Sequence, residues 1–140
     1  MKTLFLDFDG VLHTMTDMSV SPFGRLPLLA DVLVGRPVHI VVSSSWRHHF
    51  EWSEIRQKLG VLAPMVVGCT GEAILGVHAR YHEILQYAED HGIADWRALD
   101  DAWIEFPEHE KRLILCNPRV GVDVLQLQLL DAWLNQREAP

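Results

Sequence analysis

The sequence has little cysteine. Its two residues of this type, Cys69 and Cys116, lie far apart and form no C-x-x-C pair. That pattern points to two reduced, largely buried thiols rather than to a disulfide framework. Long apolar runs are also missing: none approaches the ~18 residues that a bilayer span requires, which excludes an integral membrane helix. At the start, MKTLFLDFDG, two aspartates break the apolar stretch too early for a secretory signal, so the expected location is cytoplasmic. Basic residues are in deficit, 12 Lys and Arg against 19 Asp and Glu, for a net charge of −7. A protein that grips a phosphate backbone by bulk electrostatics is usually basic, so this balance weakens a nucleic-acid-binding module. It leaves room for an enzyme that handles a nucleic-acid end through a few local contacts. There is no low-complexity tract, no Gly/Ser linker and no repeat at solenoid spacing.

What is present is ordinary globular material. Hydrophobic residues make up 49% of the 140 and charged residues 22%, enough for one core and too little chain for two. The expectation is a single domain over residues 1–140. Short runs rich in Val, Ile and Leu alternate with amphipathic stretches, the pattern of an α/β sheet. Strands are predicted at Thr3–Phe8, Val38–Val42, Pro64–Val67, Trp96–Leu99 and Arg112–Cys116. Helices are predicted over Leu26–Val34, Glu51–Leu59, a stretch around Tyr81–Ala88 that Gly92 ends, and a closing segment marked by Val122, Leu125, Leu129 and Trp133. Residues 10–24 read as a loop, with Gly10, Ser21, Pro22 and Gly24 as turn residues. The fold class is therefore a doubly wound, mostly parallel five-stranded α/β sheet, whose ligand site lies beyond the carboxyl ends of the strands.

Three strand ends deliver polar residues to that edge: Asp7-Phe8-Asp9, Ser43-Ser44-Ser45 and Asp100-Asp101. Asp7 and Asp9, two apart, project to one side if the chain stays extended. Such close like charges call for a cation or a shared proton, and Mg2+ suits two carboxylates plus phosphate oxygens. Asp100 and Asp101 face opposite ways if their strand continues. Asp101, just past it, is then the favoured direct metal ligand, with Asp100 bonding metal waters or backbone amides. Ser43 and Ser44 are expected to hold phosphoryl oxygens, to cap a helix start, or both. Trp46 and Arg47 line the entrance or simply pack. Asn117 and Arg119 could reach the same edge, but Asn117-Pro118 reads first as a turn. The histidine pairs, His48-His49 and His78/His82, read as surface residues; the latter lacks the glutamate of H-E-x-x-H.

The segment LFLDFDGVL resembles the first signature of the haloacid dehalogenase-like (HAD) hydrolases. The strand HIVVS ending at Ser43 is similar to the second, Arg80 in HARYHEILQYAEDHG to the third, and WRALDD to the fourth; the resemblance runs from about residue 3 to residue 119. Within that superfamily, FLDFDGVLH, SSSWR, R-x-x-EI and ALDD are similar to the small capless HAD domains of Swiss Army Knife RNA-repair proteins. The resemblance implies a magnesium-dependent phosphatase in which Asp7 is the nucleophile and Asp9 the general acid and base. Asp7 and the Asp9 carbonyl would ligate metal, Ser43 would hold phosphate, and Arg80, preferred to Lys58, would face the phosphoryl oxygens. Neither Val11–Pro37 nor Trp46–Ala79 has length for a cap with its own core, so the resemblance implies an open site. An open site suits a phosphate on a macromolecule, such as a nucleic-acid end or a phosphoprotein. The alternative is a catalytically idle HAD-like module that binds a partner or senses phosphate.

Overall fold

The computed structural model describes residues 1–15 and 22–138. Five strands form one sheet: β1 Lys2–Leu6, β2 Val38–Val42, β3 Val66–Cys69, β4 Trp96–Asp100 and β5 Leu113–Leu115. All pairings are parallel, in the order β3-β2-β1-β4-β5. Four helices connect or close them: α1 Leu26–Leu33, α2 Trp52–Lys58, α3 Ala79–Asp90 and α4 Val124–Asn135. The strand order reverses at β1, which makes β1 the central strand and places the topological switch point at its carboxyl end.

Every residue of β1 is buried, as a strand covered on both faces must be. Its alternate side chains feed two cores. Leu4 and Leu6 join Ile40, Val42, Leu29, Leu33, Ile55 and Trp133 on the face covered by α1, α2 and α4. Phe5 joins Val41, Ala98, Trp96, Ile84 and Ala88 on the face covered by α3. Phe5 meets Tyr87 and Trp96 edge-on, at ring separations of 5.8 and 5.6 Å. Because α1 and α2 bury Leu29, Leu33 and Ile55 in the main core, the described residues of the two intervening segments build no separate cap. No helix among the described residues is long and apolar enough to cross a membrane.

Several predicted boundaries move, and each has a local cause. β1 stops at Leu6 rather than Phe8, because the chain winds into a helical turn in which the Leu12 N–H donates to the Phe8 carbonyl (2.9 Å). The third strand starts at Val66, not Pro64, since Gly60–Met65 form a 3₁₀ turn that contains Pro64. The apolar run V-L-A-P-M-V-V carries no periodicity to mark that change. The helix around Tyr81–Ala88 extends to Ala79–Asp90. Of the expected loop residues, Ser21 lies outside the described residues.

Candidate active site

Parallel-ladder hydrogen bonds continue one residue past the strands and set the first polar residue of each. The Asp7 N–H donates to the Leu99 carbonyl (3.1 Å), Ser43 N–H to Leu6 (3.0 Å), Thr70 N–H to Val42 (2.9 Å) and Cys116 N–H to Asp100 (2.8 Å). Asp7, Ser43 and Thr70 therefore stand in a row on the carboxyl edge, and all three are buried. Thr70 was not anticipated from sequence, and its buried hydroxyl has no hydrogen-bond partner among the described residues.

Arg80 lies at the second position of α3, where a positive charge opposes the helix dipole unless something pairs with it. Two carboxylates do. Its Nη1 is 3.2 Å from Asp7 Oδ2 and 2.9 Å from Asp100 Oδ2. Asp100 is fully buried, and its second oxygen accepts the Ala102 N–H at 2.9 Å. β4 ends at Asp100, so the backbone turns before Asp101 and both carboxylates reach the same place. Asp7, Asp100 and Asp101 bring ligand oxygens within 4.8 Å of one another. Gly10 is what lets Asp101 in. Its φ is +74°, and a Cβ there would overlap Asp101 Oδ2.

The charges in this cluster do not balance. Burial, reinforced by the Asp100 charge and only partly offset by Arg80, pushes the Asp7 carboxyl well above the usual range. Burial also raises Asp101, with Asp100 adding to it and a hydrogen bond to Asp7 acting in the opposite direction. Burial works against the Arg80 charge too, but Asp100 and Asp7 outweigh it and hold the guanidinium above its ordinary range. Three carboxylates against one guanidinium leave an excess of hard oxygen donors and negative charge, and the donor set fits a small divalent cation such as magnesium. Among the described residues, no group that includes a histidine brings three such ligands together.

Asp9 is held by other groups. The turn after Phe8 gives Asp9 partners of its own, separate from those of Asp7. The Asp9 carboxylate meets His13 Nε2 at 2.8 Å, and the Trp46 indole N–H donates to both its oxygens at 3.1 and 3.2 Å. His13 was not singled out from sequence, because its value depends on this turn. Ser44 Oγ accepts the Trp46 N–H (3.2 Å) at the start of the Ser45–His48 turn, in the capping role.

Arg47, expected either to line the entrance or to pack, is committed inward. It donates to the Ser43, Ser44 and Gly71 carbonyls at 2.9, 3.0 and 3.1 Å, and to Glu83 Oε1 at 2.7 Å. Lys58 lies over the rings of Trp46 and Phe50 (5.7 and 5.0 Å). Arg80 is thus the cation paired with Asp7 among the described residues. Asn117 Oδ1 accepts the Arg119 N–H (3.0 Å), which makes it a turn residue.

The model of the HAD domain in Swiss Army Knife RNA repair proteins matches residues 3–126. The chain belongs to that family. Membership in this HAD family supports a phosphatase-type hydrolase in general and accounts for the carboxylate cluster at the switch point of the sheet. Comparison with curated proteins and with solved structures returns no significant match for this HAD domain.

Proposed function

We propose that this HAD domain is a magnesium-dependent phosphomonoesterase that works through an aspartyl phosphate on Asp7. The observation that carries the reading is the convergence of Asp7, Asp100 and Asp101 on Arg80 at the carboxyl edge of the central strand. Asp7, Asp100 and Asp101, with the Asp9 carbonyl, would hold the magnesium ion. When bound, it supplies the positive charge that favours ionised Asp7 and offsets the phosphoryl oxygens.

Asp7 attacks phosphorus and splits one displacement into two easier ones. Arg80 stabilises charge on the equatorial oxygens while fixed by Asp100. Ser43 hydrogen-bonds the phosphoryl group from the neighbouring strand end. Asp9 gives a proton to the leaving oxygen, then takes one from the water that cleaves the aspartyl phosphate. With no cap among the described residues after β1 and β2, the substrate itself must exclude water, which suits a phosphate on a nucleic-acid end; the family's occurrence in RNA repair proteins supports this reading.

The test is turnover of an aryl phosphate and of 5′- and 3′-phosphorylated oligonucleotides, with magnesium and with chelator. Metal-dependent release of phosphate is expected, fastest on an oligonucleotide end. Failure on every phosphoester refutes the enzyme reading; phosphate binding without turnover would instead support an idle sensing module.

A further inference from the structure

His13 is buried, with a side chain only 2% exposed, and sits among aromatic rings. It stacks on Phe23 (5.4 Å, 22°) and lies 5.8 Å from the Trp46 ring. A buried imidazole in such surroundings is unfavourable unless both nitrogens are bonded. Both are. The Phe23 N–H donates to Nδ1 at 3.3 Å, which fixes the tautomer with the proton on Nε2, and Nε2 donates to Asp9 Oδ1 at 2.8 Å. Phe23 has φ +58°, a left-handed conformation disfavoured for a residue with a Cβ, and in it the N–H points at His13. Phe23 is in turn packed against Phe8 and Trp46, at 5.2 Å from each ring. The chain from Phe23 to His13 to Asp9 is therefore a supported relay of fixed hydrogen bonds.

The two oxygens of Asp9 are treated differently. Oδ1 takes both His13 and one arm of the indole N–H, at 3.1 Å, while among the described residues Oδ2 has only the other indole contact, at 3.2 Å. We propose that His13 is the positioning residue of the general acid: it pins Asp9 Oδ1 so that Oδ2 is the atom that exchanges the proton with substrate. The inference rests on the phosphatase reading above and assigns an orienting role within it. In the first half-reaction the Oδ2 proton passes to the leaving oxygen as the phosphorus–oxygen bond breaks and the Asp7–phosphorus bond forms. In the second, Oδ2 takes a proton from the water whose oxygen bonds phosphorus as the bond from Asp7 to phosphorus breaks, and inorganic phosphate leaves. Protons and phosphoryl group are then balanced over the cycle. His13 acts through Asp9.

A positioning role differs from a merely structural one in its dependence on the leaving group. A nitrophenolate departs without a proton, whereas an alkoxide needs one, so loss of the oriented acid must fall on the alkyl substrate. The experiment compares kcat/KM for an alkyl phosphate and for nitrophenyl phosphate, in magnesium, for wild type, His13→Phe, His13→Gln and Asp9→Asn. His13→Phe keeps the ring and removes the donor; His13→Gln restores an N–H donor. We expect the alkyl-to-aryl ratio to fall about tenfold or more in His13→Phe, a part of the ~10²–10⁴-fold that general acid catalysis supplies. Asp9→Asn should show the larger fall, and His13→Gln should recover within about threefold of wild type. An equal loss on both substrates, no loss, or failure of His13→Gln to recover the ratio while it stays folded overturns the proposal. Nitrogen NMR of wild type adds a readout that needs no turnover: a His13 proton on Nδ1 overturns it as well. If wild type hydrolyses neither substrate, the phosphatase reading itself fails and this inference falls with it. An active wild type with an unchanged His13→Phe ratio refutes only the inference.

Discussion

Replacing Glu83 by glutamine should destabilise this protein more than any exposed charge substitution. The Arg47 and Glu83 side chains are 4% and 7% exposed, and their closest approach is 2.7 Å. Glu83 also accepts the Ile74 N–H on its other oxygen at 3.0 Å. Glutamine keeps the size and can keep that acceptor, so the change isolates the charge. It leaves a guanidinium buried against three carbonyls without a counter-ion, a situation that costs about 3–5 kcal/mol. For a chain of 140 residues, at ~3 °C per kcal/mol, that is a drop of roughly 10 °C in Tm. Glu83→Ala should cost about 1–3 kcal/mol more, because the Ile74 N–H is then unsatisfied.

The assay is urea and thermal unfolding of wild type, Glu83→Gln, Arg47→Met and the double variant, closed as a cycle. The double variant should recover part of the loss, since it removes the orphaned charge. A shift for Glu83→Gln below about 0.5 kcal/mol, the level of an ordinary surface change, would refute the argument. The same variant should weaken phosphate binding. Arg47 holds the Ser43 and Ser44 carbonyls while Glu83 sits on α3, the helix that carries Arg80, so the pair clamps two sides of the site together.

Asp7→Asn should abolish turnover while raising the metal-free Tm, because it removes one of three clustered acids and keeps the shape. Magnesium should raise the wild-type Tm in proportion to the logarithm of its concentration above Kd, and do so weakly in Asp7→Asn. Asp7 and Asp101 are raised above the ordinary 3.8, so their contribution to stability is complete below that pH and is lost as pH rises through their folded-state values. The metal-free protein should therefore lose stability from this cluster on going from acid toward neutral pH. Magnesium should restore it, with a larger melting shift at about pH 7.5 than at about pH 5.5; an equal shift at both would count against shared protons in the cluster. Gly10→Ala should lower stability by at least ~1 kcal/mol from its positive φ alone, and it should weaken magnesium affinity because its methyl displaces the Asp101 carboxylate.

The parallel sheet was legible because each strand is a short apolar run closed by polar residues, and burial on both faces needs little else. The strand ends were legible for the same reason, and they placed Asp7, Ser43, Asp100 and Asp101 on one edge. What was hidden depended on the chain leaving the extended state. The i, i+2 spacing of Asp7 and Asp9 named the pair but not their separate partners: in the turn closed by Leu12 and Phe8, Asp9 meets His13 and Trp46. Whether Arg47 lines the entrance or packs was open because its partner lies 36 positions away, and no local pattern links a residue after β2 to one in α3. His13 carries no signal of its own; its meaning comes from Phe23, whose backbone conformation no composition or periodicity encodes.

The two arginines also show why net charge is a poor guide to function here. Both are pulled to the same edge, and both meet buried carboxylates. Arg47 and Glu83 match one to one, with the remaining donors spent on carbonyls, and such a closed set needs no further ion. Arg80 faces Asp7, Asp100 and Asp101, a surplus of negative charge that the fold itself does not neutralise. A chain that folded only for stability would have no reason to keep that surplus in place, since like charges brought together in a buried site oppose folding. On the proposed reading the imbalance is the physical mark of the site: a bound cation would offset it, and the balanced pair beside it would hold the frame in which that happens.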